Sequence, residues 1–572
     1  MRTRARFVFG TQVCTSLTEG GGADREWLCS DGTGGYAMGT VAGLRTRRQH
    51  GLLVTADRKV ALLTLDPVVT LTSGARVELA VHEWASGATA PHGHRLLESF
   101  DLTDGVPRWR WRIGGVVVER ELAMERGRTG VAVVHRMLAA TEPVELSLAA
   151  LCTWRDAGAA RIAGPPPAVE PVADGVVVEH AYRIAGPGWR PDGTWWCGAR
   201  TRDGSEDLWH AGTFTARLAA GEAMEVCAWA GDPARRPPPA TAVVSAARGR
   251  ARAVVTAAKP ADAVDARLAL AADAHIVTGP RVVAGYPAAG GDVLAAYEGL
   301  FLETGRAAEG RALLRGYPHH TLWYPHAVAR HVIRTGDADL AAELLPALAA
   351  GLDGDEPDPA DGLLCGAAGK PVGENALWVN ALGAVARLCE LAGADPAGWL
   401  ARYDVARAGF AKRYPAPDGW LYDVVDAPPP RYPLAGSGPY DDPVLRPLQV
   451  LAWSLPYAPL DGTCAEPLDA VGRYLLTPLG LRSLAAHEYG YRGGDRDRGS
   501  AWPWLAGAYA GACHAAGRPA AGVLDGLAAH LDEYGLGSVS ELVDGEPPHR
   551  AGGAPFHALG VAELLRARRL LR

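Results

Sequence analysis

Apolar and polar residues alternate with a period near two through the first part of the chain. Runs such as Lys59-Val-Ala-Leu-Leu-Thr-Leu, Gly115-Val-Val-Val-Glu-Arg-Glu-Leu and Val131-Ala-Val-Val-His-Arg-Met-Leu are rich in β-branched side chains and are separated by Gly, Asp and Pro turns. This spacing predicts antiparallel strands whose apolar faces need a cover. A second sheet supplies it, so residues 1–235 are expected to form a large antiparallel β-sandwich. The run Pro233-Ala-Arg-Arg-Pro-Pro-Pro-Ala ends the pattern, because consecutive prolines fit neither a ladder nor a helix interior. Beyond it apolar residues recur every three and four positions over 241–258, 261–274, 294–303, 338–350, 375–392, 501–516 and 558–571. These segments predict helices joined by Gly/Pro loops, with no strands between them. Paired helices over 271–572 point to an all-α domain, and an α/α six-fold toroid is one such closure. Residues 236–270 read as a linker with connecting helices.

Composition narrows the function. A chain of 572 residues is long for one domain and apolar enough, at 48%, to bury a large core. A net charge of -7 gives no electrostatic case for nucleic acid or an anionic membrane. Nine cysteines lack any Cys-x-x-Cys pair, which argues against a disulfide framework and a structural zinc site and fits a reducing compartment. No ligand-spaced His/Cys cluster implies a metal or organic cofactor, and the adjacent His319 and His320 read as a surface loop. The basic start is not followed by a signal-length apolar run, and no uncharged apolar stretch reaches the ~18 residues of a membrane helix. A cytoplasmic, soluble protein is expected. Seventeen Trp and seventeen Tyr against seven Phe supply flat apolar faces with polar handles, which suit sugar rings. The expected partner is neutral.

One stretch near the end carries candidate chemistry. In Gly535-Leu-Gly-Ser-Val-Ser-Glu-Leu-Val-Asp-Gly-Glu-Pro-Pro-His, Glu541 follows two hydroxyl residues and precedes an Asp544-Gly545 turn pair. It is a candidate general base on a loop; a solvated glutamate at a helix started by Ser540 is the alternative. Near the front, Gly32-Thr-Gly-Gly has the look of a phosphate cradle, but no Walker lysine follows and the context is strand-turn-strand.

The front stretch holds, in order, Glu26-Trp-Leu, Gly34-Gly-Tyr, Gly39-Thr-Val-Ala-Gly and Arg47-Arg-Gln-His-Gly-Leu-Leu-Val. Later come His82-Glu-Trp, Leu97-Glu-Ser-Phe with Trp109 and Trp111, Glu206-Asp-Leu, Gly419-Trp-Leu-Tyr-Asp-Val-Val-Asp, Leu445-Arg-Pro-Leu-Gln-Val-Leu-Ala-Trp-Ser-Leu-Pro-Tyr, Thr477-Pro-Leu-Gly-Leu-Arg-Ser-Leu, Ala501-Trp-Pro-Trp-Leu-Ala-Gly and Ser540-Glu-Leu-Val-Asp-Gly. This series resembles the bacterial and archaeal glycogen-debranching enzymes of the amylo-α-1,6-glucosidase type.

The resemblance implies removal of α-1,6-linked glucose from glycogen or limit dextrin with inversion. Such chemistry needs a protonated carboxyl on one face and an ionised one on the other, about 6.5 to 9.5 Å apart. It places Glu541 as the base. It also makes Trp378, Trp502 and Trp504 candidates for stacking on sugar faces, with Asn375, Arg446, Gln449, Asp544 and His549 as candidates for binding hydroxyls.

The acid is where this sequence departs from the pattern. The family's Thr-Trp-Met-Asp-Ala block is absent between Asp361-Gly-Leu-Leu-Cys-Gly-Ala-Ala and Gly369-Lys-Pro-Val-Gly-Glu-Asn-Ala-Leu-Trp. The family's aromatic loop is reduced to Gly285-Tyr-Pro-Ala-Ala-Gly-Gly-Asp, and Arg315-Gly-Tyr-Pro-His-His-Thr-Leu-Trp makes a short connection where it carries an Asn-Thr-x-Asp-Ala segment. Gly373 takes the place of a family glutamate, with Glu374 one position later, a turn of about 100° on a helix. Asp292, Asp361 and Glu374 are the substitute acids the sequence offers, Glu374 foremost. Three functions remain open: an active debranching-type hydrolase, a catalytically impaired relative that binds α-glucan or a protein of glycogen metabolism, and a glycosidase on another α-linked oligosaccharide.

Overall fold

A computed structural model describes residues 6–279, 281–317, 321–428 and 440–572. The pair His319 and His320 lies outside them. The chain forms two compact units, one of residues 1–278 with 532–537, the other of 279–531 with 538–572.

The first unit is the expected antiparallel sandwich. One nine-stranded sheet runs in the order Arg6–Gly10, Leu97–Thr103, Val106–Ile113, Val116–Met124, Gly130–Ala139, Ala223–Ala230, Tyr182–Ala185, Gly175–Val178, Val169–Val172. The facing sheet runs Arg190–Thr201, Gly204–Leu218, Val144–Asp156, Lys59–Thr70, Gly51–Val54, Tyr36–Thr40, Glu26–Ser30. Inward residues of both, among them Phe100, Trp109, Leu122, Leu146, Leu148 and Phe214, share one core. The strand Val116–Met124 is buried at every position. Its second face is covered by the helix Ala240–Ala258, where Val243 and Val244 pack on Ala123, Ala132 and Val134. The segment 236–270 holds the helix Ala240–Ala258 and the start of Ala263–His275, within the first unit.

The front signature proves structural. Glu26 is fully buried and takes the Arg47 guanidinium at 2.9 and 3.1 Å and His50 Nε2 at 2.8 Å. Burial alone would raise the Glu26 carboxyl, but His50 and Arg47 outweigh it and hold it below the usual range. Glu206 is likewise enclosed by Arg45 and Arg155.

The second unit is the α/α six-fold toroid. The inner ring is Glu298–Leu302, Trp323–Thr335, Val372–Ala392, Leu451–Ser454, Trp504–Ala515 and Ala558–Leu570, each packing on the next and the last on the first. The inner helix Val372–Ala392 is apolar on most sides because neighbours cover them, and it buries fifteen of its side chains or glycines. Outer helices such as Ala307–Gly316 and Glu466–Tyr474 are amphipathic, with one face on the ring. Two differences from the sequence expectation appear. The expected 501–516 helix begins only at Trp504, since Pro503 favours extended backbone before it and Ala501–Trp502 forms a strand. Short strands also lie between helices, in a three-stranded and a five-stranded sheet. Strands of two or three residues are too short for a period of two to register.

Candidate active site

The ring alternates outer and inner helices, so every segment leading from an outer helix to the next inner one opens on the same mouth. Four such segments matter, over their described residues: 354–371, 414–428 with 440–446, 475–503 and 531–557. The five-stranded sheet ties the last two together. Leu476–Thr477, Gly480–Arg482, Ala501–Trp502, Leu542–Val543 and Ala551–Gly552 pair in that order.

Glu541 stands immediately before the Leu542–Val543 strand, on a loop and not at a helix start. It is 7% exposed. Oε1 accepts from Arg496 Nη1 at 2.7 Å and Oε2 from the Ala554 backbone N–H at 3.1 Å. The Glu541 N–H in turn donates to the Ala554 carbonyl at 2.9 Å, so backbone and side chain are pinned by one residue. Ser540 Oγ is 3.0 Å from His530 Nε2, which fixes the chain just before the carboxylate. His557, buried and capping the Ala558–Leu570 helix, is pushed down to about 4 by burial and by the Arg496 charge, against the pull of Glu541. It is a neutral imidazole at pH 7.

Trp502 belongs here: its indole N–H donates to the Arg496 carbonyl at 3.0 Å, so it supports the residue that holds Glu541. Asp544 and His549 close the hairpin turn beyond. Asp544 Oδ1 accepts from the Glu546 N–H at 2.9 Å, and the Asp544 carbonyl lies 3.0 Å from His549 Nδ1. Arg446 reaches across from the neighbouring segment, donating to the carbonyls of Ser483 at 3.0 Å and Asp497 at 2.8 Å.

Other expected residues lie elsewhere. Trp378 is fully buried, its indole N–H spent on the Gly362 carbonyl at 2.9 Å, so it has no face for a sugar. Asn375 is also fully buried and bridges the backbone of Leu364 on both sides, at 2.7 and 3.0 Å. Gln449, 1% exposed, accepts from the Leu421 N–H and donates to the Arg446 carbonyl. These three amides and indoles satisfy buried backbone groups, which would otherwise cost more than any sugar contact would return. Trp504 faces the toroid axis, lining a cavity of about 290 Å³ with Trp323, His326, Arg330 and Arg566.

The substitute acids also separate. Glu374 is exposed in the first turn of Val372–Ala392 and lines a different cavity, with Tyr324 and Asp355. Asp292 caps a short turn through the Leu294 N–H. Asp361 is buried against Lys370 Nζ at 2.7 Å and Arg413 at 3.2 Å. Asp358 and Asp426 join it on the same ammonium, at 2.8 and 3.0 Å. The three carboxylates lie close enough to hold a metal ion, but Lys370 already occupies their focus.

Sequence reasoning passed over one carboxyl. Asp423 lies in the 414–428 stretch, its N–H on the Asp442 carbonyl at 2.8 Å and its carbonyl on the Val372 N–H at 2.8 Å. Oδ2 meets Arg446 Nε at 3.3 Å, with a fifth of the side chain open to solvent. Burial and the neighbouring Asp442 charge push the carboxyl up to about 7, against Arg446. Only its position within the Gly419-Trp-Leu-Tyr-Asp block signalled it.

The chain thus combines an antiparallel sandwich with an α/α toroid. Residues 25–225 match the family model for the glycogen debranching enzyme N terminal, and 364–566 that for amylo-alpha-1,6-glucosidase. Together they span more than half of the chain, which belongs to the glycogen-debranching enzyme family. No curated protein sequence matches it at a significant level. Among solved structures, a bacterial glucoamylase complexed with acarbose is similar at a TM-score of 0.58 and 12% identity, covering 99% of this chain and 98% of that one. That likeness shows the same fold. A GH63 mannosylglycerate hydrolase from Thermus thermophilus matches at a TM-score of 0.42 and 13% identity, over 53% of this chain and 99% of that one. A GH78 rhamnosidase of Bacillus sp. GL1 matches at 0.38 and 15%, over 75% of this chain and 46% of that one.

Proposed function

We propose that this protein is a glycoside hydrolase that removes α-1,6-linked glucose from glycogen or limit dextrin with inversion, Glu541 acting as general base. The observation that carries the reading is the fixed Glu541 carboxylate at the toroid mouth, held by Arg496 and the Ala554 N–H. A base must be oriented toward water before substrate arrives, and two donors from different segments leave it little rotational freedom. Trp502 beside it offers an aromatic edge to a sugar, and Arg446 a cation to hydroxyls. The partner is an α-glucan or oligosaccharide, with no cofactor.

The test is glucose release from branched limit dextrin by the wild type and by Glu541→Gln. Release that falls by at least about a hundredfold in the variant supports the reading. No release by the wild type, with glucan binding retained, would refute it in favour of a non-hydrolytic glucan-binding relative. That second reading draws on one observation, the missing family acid block between Asp361 and Gly369. Release from other α-linked oligosaccharides in preference to dextrin would shift the substrate and keep the class.

A further inference from the structure

We propose that Asp423 is the general acid that works with Glu541, in place of the acid block this chain lacks. The inference rests on the hydrolase reading above and adds a residue to it. Both carboxyls lie on segments that open on the same mouth of the ring, one before the Leu451–Ser454 inner helix and one before Ala558–Leu570. They are joined by a short relay of contacts. Arg446 holds Asp423 and also donates to the Asp497 carbonyl, and Arg496, the residue before, holds Glu541. The two carboxyls thus flank one arginine-lined stretch without touching.

The way Asp423 is held suits proton donation. Arg446 Nε lies 3.3 Å from Oδ2, and among the described residues no hydrogen bond reaches Oδ1. Oδ2 faces the Arg446 guanidinium as an ion-pair contact, which leaves Oδ1 to carry a proton. Several other carboxyls near this mouth already accept hydrogen bonds. Asp442 Oδ1 accepts from the Val444 N–H, Asp441 Oδ1 from the Asp426 N–H, and Asp544 Oδ1 from the Glu546 N–H. Asp361 sits in its ion-pair cage, and Glu374 lines a separate cavity. Burial and the Asp442 charge push the Asp423 carboxyl up to about 7, against the pull of Arg446.

The step balances. Asp423 Oδ1 gives its proton to the glycosidic oxygen as the bond from that oxygen to the anomeric carbon breaks and its electron pair stays on the oxygen. Water attacks the anomeric carbon from the opposite face and loses a proton to Glu541. Exchange with solvent returns the proton to Asp423 and removes it from Glu541.

The experiment compares a limit dextrin with α-glucosyl fluoride, whose leaving group needs no proton, using the full chain as wild type, Asp423→Asn, Asp423→Glu and Glu541→Gln. We expect Asp423→Asn to lose dextrin hydrolysis by at least about a hundredfold yet keep fluoride hydrolysis within about tenfold. Asp423→Glu should retain measurable dextrin hydrolysis, and Glu541→Gln should lose both. The wild-type kcat/KM on dextrin should fall on an alkaline limb near pH 7 that is absent on the fluoride. Equal loss on both substrates in Asp423→Asn, or full activity on both, would overturn the role of Asp423 and leave Glu541 in place. A wild type inactive on both substrates would overturn both readings together.

Discussion

Replacing Asp423 by Asn should stabilise the protein, and by more as pH rises. The folded carboxyl titrates near 7 against an ordinary value of 3.8. Between these limits the folded state binds more protons than the unfolded one, so wild-type stability declines as pH climbs through that window and levels off above it. A shift of about three units is worth roughly 4 kcal/mol if taken whole. The side chain keeps a fifth of its surface in water and Arg446 can re-aim, so a realistic gain is about 1 to 2 kcal/mol at pH 8. The amide fills the same space beside Arg446, which keeps its carbonyl partners at Ser483 and Asp497. Urea unfolding of both proteins at pH 4, 5, 6, 7 and 8 measures the gap. It should be near zero at pH 4 and widen to its plateau by pH 8. A gap that does not change with pH, or a variant less stable at pH 8, would refute the argument that this carboxyl is held protonated against its own chemistry.

Further outcomes follow from packing and charge. Gly299→Ala places a Cβ 2.1 Å from the Ala562 carbonyl oxygen, forcing two inner helices apart, and should cost about 2 to 3 kcal/mol in urea unfolding despite better helix propensity. Gly249→Ala, with nothing within 4 Å, should instead add up to about 1 kcal/mol. Lys370→Met strips the shared ammonium from three carboxylates, one of them buried, and should cost about 3 kcal/mol, whereas a chelator should leave Tm unchanged because that ammonium fills the only such focus among the described residues. His557, pushed down to about 4 from 6.5, contributes stability above pH 6.5 that is lost as pH falls toward 4, by at most about 3 kcal/mol. His557→Gln should show a shallower acid loss than the wild type.

Much of the architecture was legible because it is written in local spacing. A period of two gave the strands Lys59–Thr70, Val116–Met124 and Gly130–Ala139, and a period near 3.6 gave the helices Ala240–Ala258, Val372–Ala392 and Ala558–Leu570. The hydroxyl neighbours of Glu541 and the Asp544-Gly545 turn also forecast its loop, while the family resemblance made it a candidate base. Which aromatic and amide side chains meet substrate could not be read this way. Trp378 and Trp502 look alike in sequence, yet closure of the ring buries one against Gly362 and leaves the other beside Arg496. Asn375 and Gln449 were polar residues in promising blocks until the fold brought unpaired backbone groups to them.

Asp423 shows the division most clearly. Its block was visible, and so was the loss of the family acid, but nothing nearby in the chain marks this aspartate as different from Asp426, three residues on. The difference is tertiary. Asp426 meets Arg413 and Lys370 and is held below its ordinary carboxylate value, while Asp423 is mostly desolvated beside Asp442 with one arginine and is pushed up. Periodicity depends on neighbours within a few residues, and the sequence determines it alone. Protonation depends on desolvation and on charges brought from other segments, and these exist only once the helices close the ring.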